Sequence, residues 1–187
     1  KAQETREIAN QNDEMATTMV VETNKTNFFG RDEFNKNGEV LIATDKPFAA
    51  VAVQGIREIM EAAGFELALL EKYTEKAQLL DAVKDVDAII IRSDIIDAEV
   101  LEAAKNLKIV VRAGAGYDNV DLDAATAHNV CVMNTPGQNA NAVAELVFGM
   151  LVYSIRNHFN GTSGTELLTK KLGILAYGNV GRNVARI

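Results

Sequence analysis

From Glu39 onward, short runs of aliphatic and β-branched residues alternate with stretches whose apolar positions recur every three or four residues, and turn residues separate each pair. That texture predicts successive βα units. Val40-Leu41-Ile42-Ala43 reads as the first strand. Asp45 and Pro47 then give a helix-start signal, because aspartate can cap exposed amides and proline fits a first helical turn; the helix is expected to stop at Gly64. Phe65 to Leu70 reads as a strand, and Thr74 to Lys84 as a helix with Leu79, Leu80 and Val83 on its buried side. Ile89-Ile90-Ile91 marks a strand covered on both faces. Asp97 is placed to cap the helix EVLEAAKN, Leu107 to Val111 is the fourth strand, Asp121 caps a short helix through His128, and Val130 to Met133 is the fifth strand.

Five strands joined by helices predict an α/β fold with a doubly wound parallel sheet, since parallel neighbours need long crossovers that cover its faces. Ligands on such sheets bind beyond the carboxyl ends of the strands. The positions to examine are therefore Thr44-Asp45, Arg92-Ser93, Arg112 to Gly116, and Asn134 to Pro136. A long helix from about Asn141 to Arg156 leads away from the sheet as a candidate bridge to a second domain. Beyond GTSGTE, Lys171 to Ala176 is expected to be one more strand, with a helix opening at Gly178. Residues 1–38, rich in Asn, Glu, Lys and Thr, read as a flexible polar extension with at most one short helix. The expected domains are residues 39–138 and residues 139–187.

With 187 residues, 48% hydrophobic and 24% charged, the chain has apolar material for one full domain and the start of another. The net charge of -7 comes without a basic stripe, so nucleic acid and anionic membranes are not expected partners. The single cysteine, Cys131, lies in the apolar run NVCVM, which rules out an internal disulfide framework and argues against a metal site. A reducing cytoplasm fits that usage. No run approaches the roughly 18 apolar residues of a membrane span, and KAQETREIAN has no secretory core. Starting at Lys1, the sequence reads as a fragment or processed product.

Two constellations carry candidate chemistry. LGILAYGNVGRNVA is a strand pattern running into a turn, Ala176 to Gly181, and a helix. In a dinucleotide site, amides at a helix start face the pyrophosphate, a glycine such as Gly178 admits close backbone approach, and one such as Gly181 lets helix and strand pack. Ala176 stands where a first glycine is usual and is expected to keep a negative φ. By itself the pattern is equally a glycine turn closing a βα unit. The second constellation is Arg112 to Asp121, RAGAGYDNVD, in which Gly114 and Gly116 allow a loop to approach a ligand and Arg112 offers a planar cation. Arg92 offers another at the end of the central strand. Two strand-end arginines in an acidic protein suggest an anionic ligand. The plainer alternative is pairing with Asp94 and Asp118.

The run RAGAGYDNVDL, then NTPGQNANAVAE from Asn134 to Glu145, then Gly173 to Gly181, resembles the D-2-hydroxyacid dehydrogenase family, in register over residues 39–187. Arg92-Ser93 after three isoleucines suggests the branch acting on 3-phosphoglycerate. The resemblance implies a flavodoxin-like, substrate-binding lid followed by the start of a Rossmann domain that binds NAD. It implies that Arg92 and Ser93 hold the substrate phosphate, that Arg112 supports the anionic site, and that the amides of Gly114 and Ala115 face the substrate carboxylate and nicotinamide. Asn134 and Asn139 would line the substrate pocket; Gly178, Asn179, Val180 and Gly181 would bind the cofactor. The implied reaction of the full enzyme is oxidation of 3-phosphoglycerate to 3-phosphohydroxypyruvate, the first step of serine biosynthesis, by a cytoplasmic homodimer or higher homo-oligomer.

The family's carboxylate-orienting arginine and its histidine–glutamate acid–base pair come from a later region that these 187 residues do not contain. His128 and His158 fall outside its motifs and read as exposed structural residues. No catalytic group is therefore expected here, and the chain alone is expected to be inactive. A signalling receiver is the rival for the alternating texture. It is disfavoured because the third strand ends in Arg92 rather than an aspartate and no lysine follows the fifth. Another 2-hydroxy acid as substrate, or a non-catalytic dimerisation module built on Val143, Leu146, Val147 and Met150, are the remaining alternatives.

Overall fold

A computed structural model of the chain describes residues 38–187, so the extension expected over 1–38 lies, but for Gly38, outside the described residues. Strands β1 (Glu39–Thr44), β2 (Glu66–Glu71), β3 (Ala88–Ile91), β4 (Ile109–Arg112) and β5 (Cys131–Asn134) form one parallel sheet in the order β2-β1-β3-β4-β5. This is the flavodoxin-like order of a doubly wound sheet. Between the strands run α1 (Ala50–Ala62), α2 (Lys76–Ala82), α3 (Ala98–Ala103) and α4 (Leu122–Ala127).

The period-two alternation of the strands sorts the core into two layers. Leu41, Ala43, Ile89, Ile91 and Val110 pack with Leu79 of α2, Val83 directly after it, Val100 and Leu101 of α3 and Ala125 of α4. The intervening Val40, Ile42, Ile90 and Val111 pack with Ala52 and Ile56 of α1. Ile89, Ile91 and Val110 are fully enclosed, which is why those strands read as unbroken apolar runs.

Both aspartate caps are as expected: Asp97 accepts from the Val100 amide and Asp121 from the Ala124 amide. Asp45 is not a cap. Helix α1 begins after Ala49 without a side-chain cap, because the Asp45 amide is tied to Asp94 at 2.8 Å and the Thr44 hydroxyl donates to the Lys46 carbonyl, holding that stretch in a non-helical turn. At the start of α2, the Gln78 side chain accepts from the amides of Thr74 and Glu75.

Lys76 clips α2 to α3 by reaching both Asp97 and Glu99. The Lys76 ammonium, and less so the Val100 amide, holds the Asp97 carboxyl below its ordinary range against a smaller opposing effect of burial. A depressed folded value means that this contribution is present above the unfolded aspartate range, near ~3.9, and is lost as pH falls through the folded value. Asp97→Ala is therefore expected to lower stability by about 1 kcal/mol at neutral pH, the worth of an N-cap. The difference from the parent should shrink in urea titrations as the pH is lowered through the acid range. A deficit that persists undiminished in acid would assign the loss to packing instead.

The chain divides into two compact units, one ending at Thr135 and the other Pro136–Ile187. The second holds α5 (Ala140–Ile155), a short 3₁₀ turn (Asn157–Phe159) and α6 (Asn179–Arg186). The strand expected over Lys171–Ala176 does not form. A strand needs a neighbour to take its amides and carbonyls, and no other strand lies among the described residues of this unit. Leu172 and Leu175 accordingly stand exposed. No described helix is long and apolar enough to cross a membrane, and no cluster of three metal-ligating side chains occurs among the described residues.

Candidate functional site

The carboxyl edge of the sheet gathers Arg92, Ser93, Arg112, Gly114, Ala115 and Asn134 onto the strand ends of the first unit. Arg92 and Ser93 directly follow β3 and are exposed. The Arg92 guanidinium stands 5.7 Å from the centre of the Phe48 ring, a cation–π contact that orients the cation without neutralising it. It has no carboxylate partner among the described residues, so the plainer reading, pairing with Asp94, does not hold. Asp94 turns inward and accepts from the Asp45 amide at 2.8 Å, the Tyr73 hydroxyl at 2.7 Å and the Arg92 amide at 3.3 Å. Burial, then the hydrogen bond to Asp94, pushes the Tyr73 hydroxyl pKa well above its ordinary value, so Tyr73 remains a donor.

Arg112 ends β4 half-buried, and its Nε has no hydrogen-bond partner among the described residues. Its guanidinium lies across Gly114: a Cβ at position 114 would sit 1.4 Å from Nη1. The space that Gly114 leaves open is thus occupied by this chain's own arginine, a role that sequence reasoning had assigned to ligand approach. The loop is tied to β5, since the Asn134 Nδ2 donates to the Ala115 carbonyl at 2.8 Å and the Thr135 amide to the Gly114 carbonyl at 2.9 Å. Asn134 is therefore in part a loop anchor. The Thr135 hydroxyl is buried without a partner among the described residues. Unpaired buried polar groups are costly and uncommon, and here two of them, from Arg112 and Thr135, flank one loop.

In the second unit, Asn139 precedes α5 without making a side-chain cap, and is exposed. Gly178 precedes α6, and a Cβ there would meet nothing within 4 Å. A Cβ on Gly181 would meet the Ala176 carbonyl oxygen at 2.4 Å. Ala176 has φ 74 and not the negative value expected; no strand runs up to this residue to hold it extended. Asn179 accepts from Arg182 at 2.8 Å and also packs on Gly137, which has φ 86 and whose Cβ would lie 2.8 Å from the Asn179 Nδ2. Val180 is partly exposed beside it.

Sequence reasoning missed Tyr73, assigned no role to Asn119 or Thr135 within the runs it singled out, and offered Asp94 only as an alternative surface partner of arginine. Asn119 donates to the Asp94 carbonyl at 2.7 Å; its place in a turn-rich run was the only available sign. His128 caps α4 before β5, at the opposite edge of the sheet from Arg92 and Arg112, and His158 leans on the Tyr153 ring at 4.7 Å. The Cys131 thiol packs against the α1-side core, and burial raises its pKa.

Residues 42–184 match the family model described as D-isomer specific 2-hydroxyacid dehydrogenase, catalytic domain. Over 144 residues, covering 69% of this chain and 27% of the relative, the sequence is 41% identical to D-3-phosphoglycerate dehydrogenase of Rattus norvegicus. Over 135 residues, covering 65% of this chain and 44% of the relative, it is 37% identical to hydroxypyruvate reductase of Thermotoga maritima. The crystal structure of NAD+-bound 3-phosphoglycerate dehydrogenase of Entamoeba histolytica superposes with a TM-score of 0.77 at 48% identity, covering 80% of this chain and 50% of that one. The matches thus span half or less of the length of these relatives.

Proposed function

The chain belongs to the D-isomer specific 2-hydroxyacid dehydrogenase family, and from that membership we propose that it supplies the substrate-binding lid and the opening of the cofactor turn of an NAD-dependent dehydrogenase acting on a phosphorylated 2-hydroxy acid. The observation that carries the reading is the pair Arg92 and Arg112, two cations at adjacent strand ends of an acidic protein with no carboxylate partner among the described residues. A strand-end cation left without an acid suits a ligand that brings its own negative charge. 3-Phosphoglycerate, with a phosphate and a carboxylate, fits two such groups. The relatives named for that substrate support the choice.

In this reading Arg92 and Ser93 grip the phosphate, and Arg112, with the amides of Gly114 and Ala115, holds the carboxylate end. Asn134 keeps that loop in place, and Asn139 contributes to the substrate pocket. The turn at Gly178 to Gly181 fits a dinucleotide: the space where a Gly178 Cβ would lie is open, and the first amides of α6 are free of intrahelical partners. Asn179 and Val180 would lie along the pyrophosphate. NAD, when bound, accepts the hydride from the substrate carbon. This chain's share is to orient the substrate and exclude water, while by the family's pattern the group that takes the hydroxyl proton comes from the region that follows. Residues 39–138 act as the lid and α5 as the bridge. The exposed Leu146 and Met150 of α5 suit a homodimer contact, and the lone cysteine suits a reducing cytoplasm.

In the full-length enzyme, Arg92→Ala is expected to raise KM for 3-phosphoglycerate about 10- to 100-fold, the worth of one charge-assisted hydrogen-bond contact, with a smaller change in kcat. Lysine should restore only part of it, because it cannot make a two-pronged contact. Steady-state kinetics with an unchanged KM would remove Arg92 from the phosphate site.

A further inference from the structure

Asp94 is 5% exposed, and no cation pairs with it among the described residues. Burying a carboxylate is costly unless its oxygens are satisfied. Here they are, by neutral donors from three segments: the Asp45 amide after β1, the Tyr73 hydroxyl after β2 and the Arg92 amide at the end of β3. Its main-chain carbonyl takes a fourth, from Asn119 after β4. One residue therefore cross-links the loops beyond four of the five strands, all on the edge where the candidate anion site lies.

We propose that Asp94 is a positioning residue for the anion-binding pair Arg92-Ser93, acting through the Arg92 backbone and by keeping its own charge away from the Arg92 guanidinium. This rests on the phosphate-binding reading of Arg92 given above. Two effects follow from the geometry. The bond from the Arg92 amide to Oδ2 fixes the backbone from which the guanidinium projects over Phe48. The bonds from Asp45 and Tyr73 occupy Oδ1, so the acid nearest in sequence does not swing out to neutralise the cation. An exposed aspartate two residues from Arg92 would compete with the substrate's phosphate for the same donors; a buried and saturated one does not.

Asp94→Asn separates these contacts. Its amide oxygen can still accept from Asp45 and Tyr73, while an NH2 now faces the Arg92 amide, donor against donor. In the full-length enzyme this variant is expected to raise KM for 3-phosphoglycerate, and the inhibition constant for inorganic phosphate, about three- to tenfold, the fold-change of one lost hydrogen bond. The change in kcat should stay within about twofold. In an Arg92→Ala background the same substitution should add nothing, since the cation it positions is gone. Tyr73→Phe, which only loosens the carboxylate, should raise KM in the same direction by a smaller factor and decides the matter if Asp94→Asn does not fold. An Arg92→Ala effect on KM accompanied by no effect of Asp94→Asn, or by an Asp94→Asn effect undiminished in the double variant, overturns the positioning role and leaves the anion site standing. No effect of Arg92→Ala itself overturns the anion site, and this role with it.

Discussion

Gly181→Ala in the full-length enzyme is expected to weaken NAD binding about 100-fold, a cost of roughly 3 kcal/mol that matches forced overpacking against a fixed backbone. The added methyl would lie 2.4 Å from the Ala176 carbonyl oxygen and 3.3 Å from its carbon. Both are main-chain atoms, so no side-chain rotation relieves the overlap and the turn must open. Gly178→Ala makes a useful contrast: the same methyl there meets nothing within 4 Å, so folding of this unit should be unaffected and any loss of NAD affinity comes from crowding the dinucleotide itself. Ala176→Gly should stabilise the protein by about 1 kcal/mol, because an L-residue at positive φ carries roughly that strain. Calorimetry giving Gly181→Ala parental NAD affinity would mean that the turn does not cradle the cofactor.

Gly114→Ala is expected to cost about 10²- to 10⁴-fold in kcat/KM for 3-phosphoglycerate, the range for losing two charge-assisted contacts. Gly114 lies outside the left-handed region, so alanine suits the backbone; what must move is the Arg112 guanidinium, whose Nη1 occupies the place of the new methyl. Thermal unfolding should therefore stay close to that of the parent while recognition fails. Once Arg112→Ala has been introduced, adding Gly114→Ala should change little, because the cation it displaces is already absent. Full additivity of the two substitutions would mean that Gly114 serves ligand approach directly and that its contact with Arg112 is incidental.

The sheet was legible because its strands declare themselves in apolar runs that only a two-sided cover explains, Ile89 to Ile91 above all, and because Asp97 and Asp121 stand where an aspartate has a helix to cap. Asp45 misled because capping is a local signal, and a buried acid 49 residues away holds its amide instead. Lys171 to Ala176 misled for a related reason: an apolar pattern records what a segment can do once paired, and no strand lies among the described residues of its unit to pair with it. At the candidate site, the strand-end arginines could be picked out by type and position, but their environment could not. Asp94 looks like a surface counter-ion in sequence, since nothing in the string brings Tyr73 to its carboxylate or Asn119 to its carbonyl. Gly114 likewise gives no sign that the vacancy it leaves is filled from two residues upstream.

The strand order has a consequence for how the chain assembles. After β2 joins β1, and β3 adds to the other side of β1, each later strand pairs with the one made immediately before it: β4 with β3, then β5 with β4. Apart from β3, which reaches β1 across α1, β2 and α2, each addition closes a loop of only one helix and its turns, and loop-closure entropy grows slowly with such lengths. A polypeptide leaving the ribosome therefore extends this sheet in the order of translation, without waiting for a distant segment to intervene between strands already paired. By the time Asn134 has emerged, every β-ladder among the described residues of the first unit has its partner in hand.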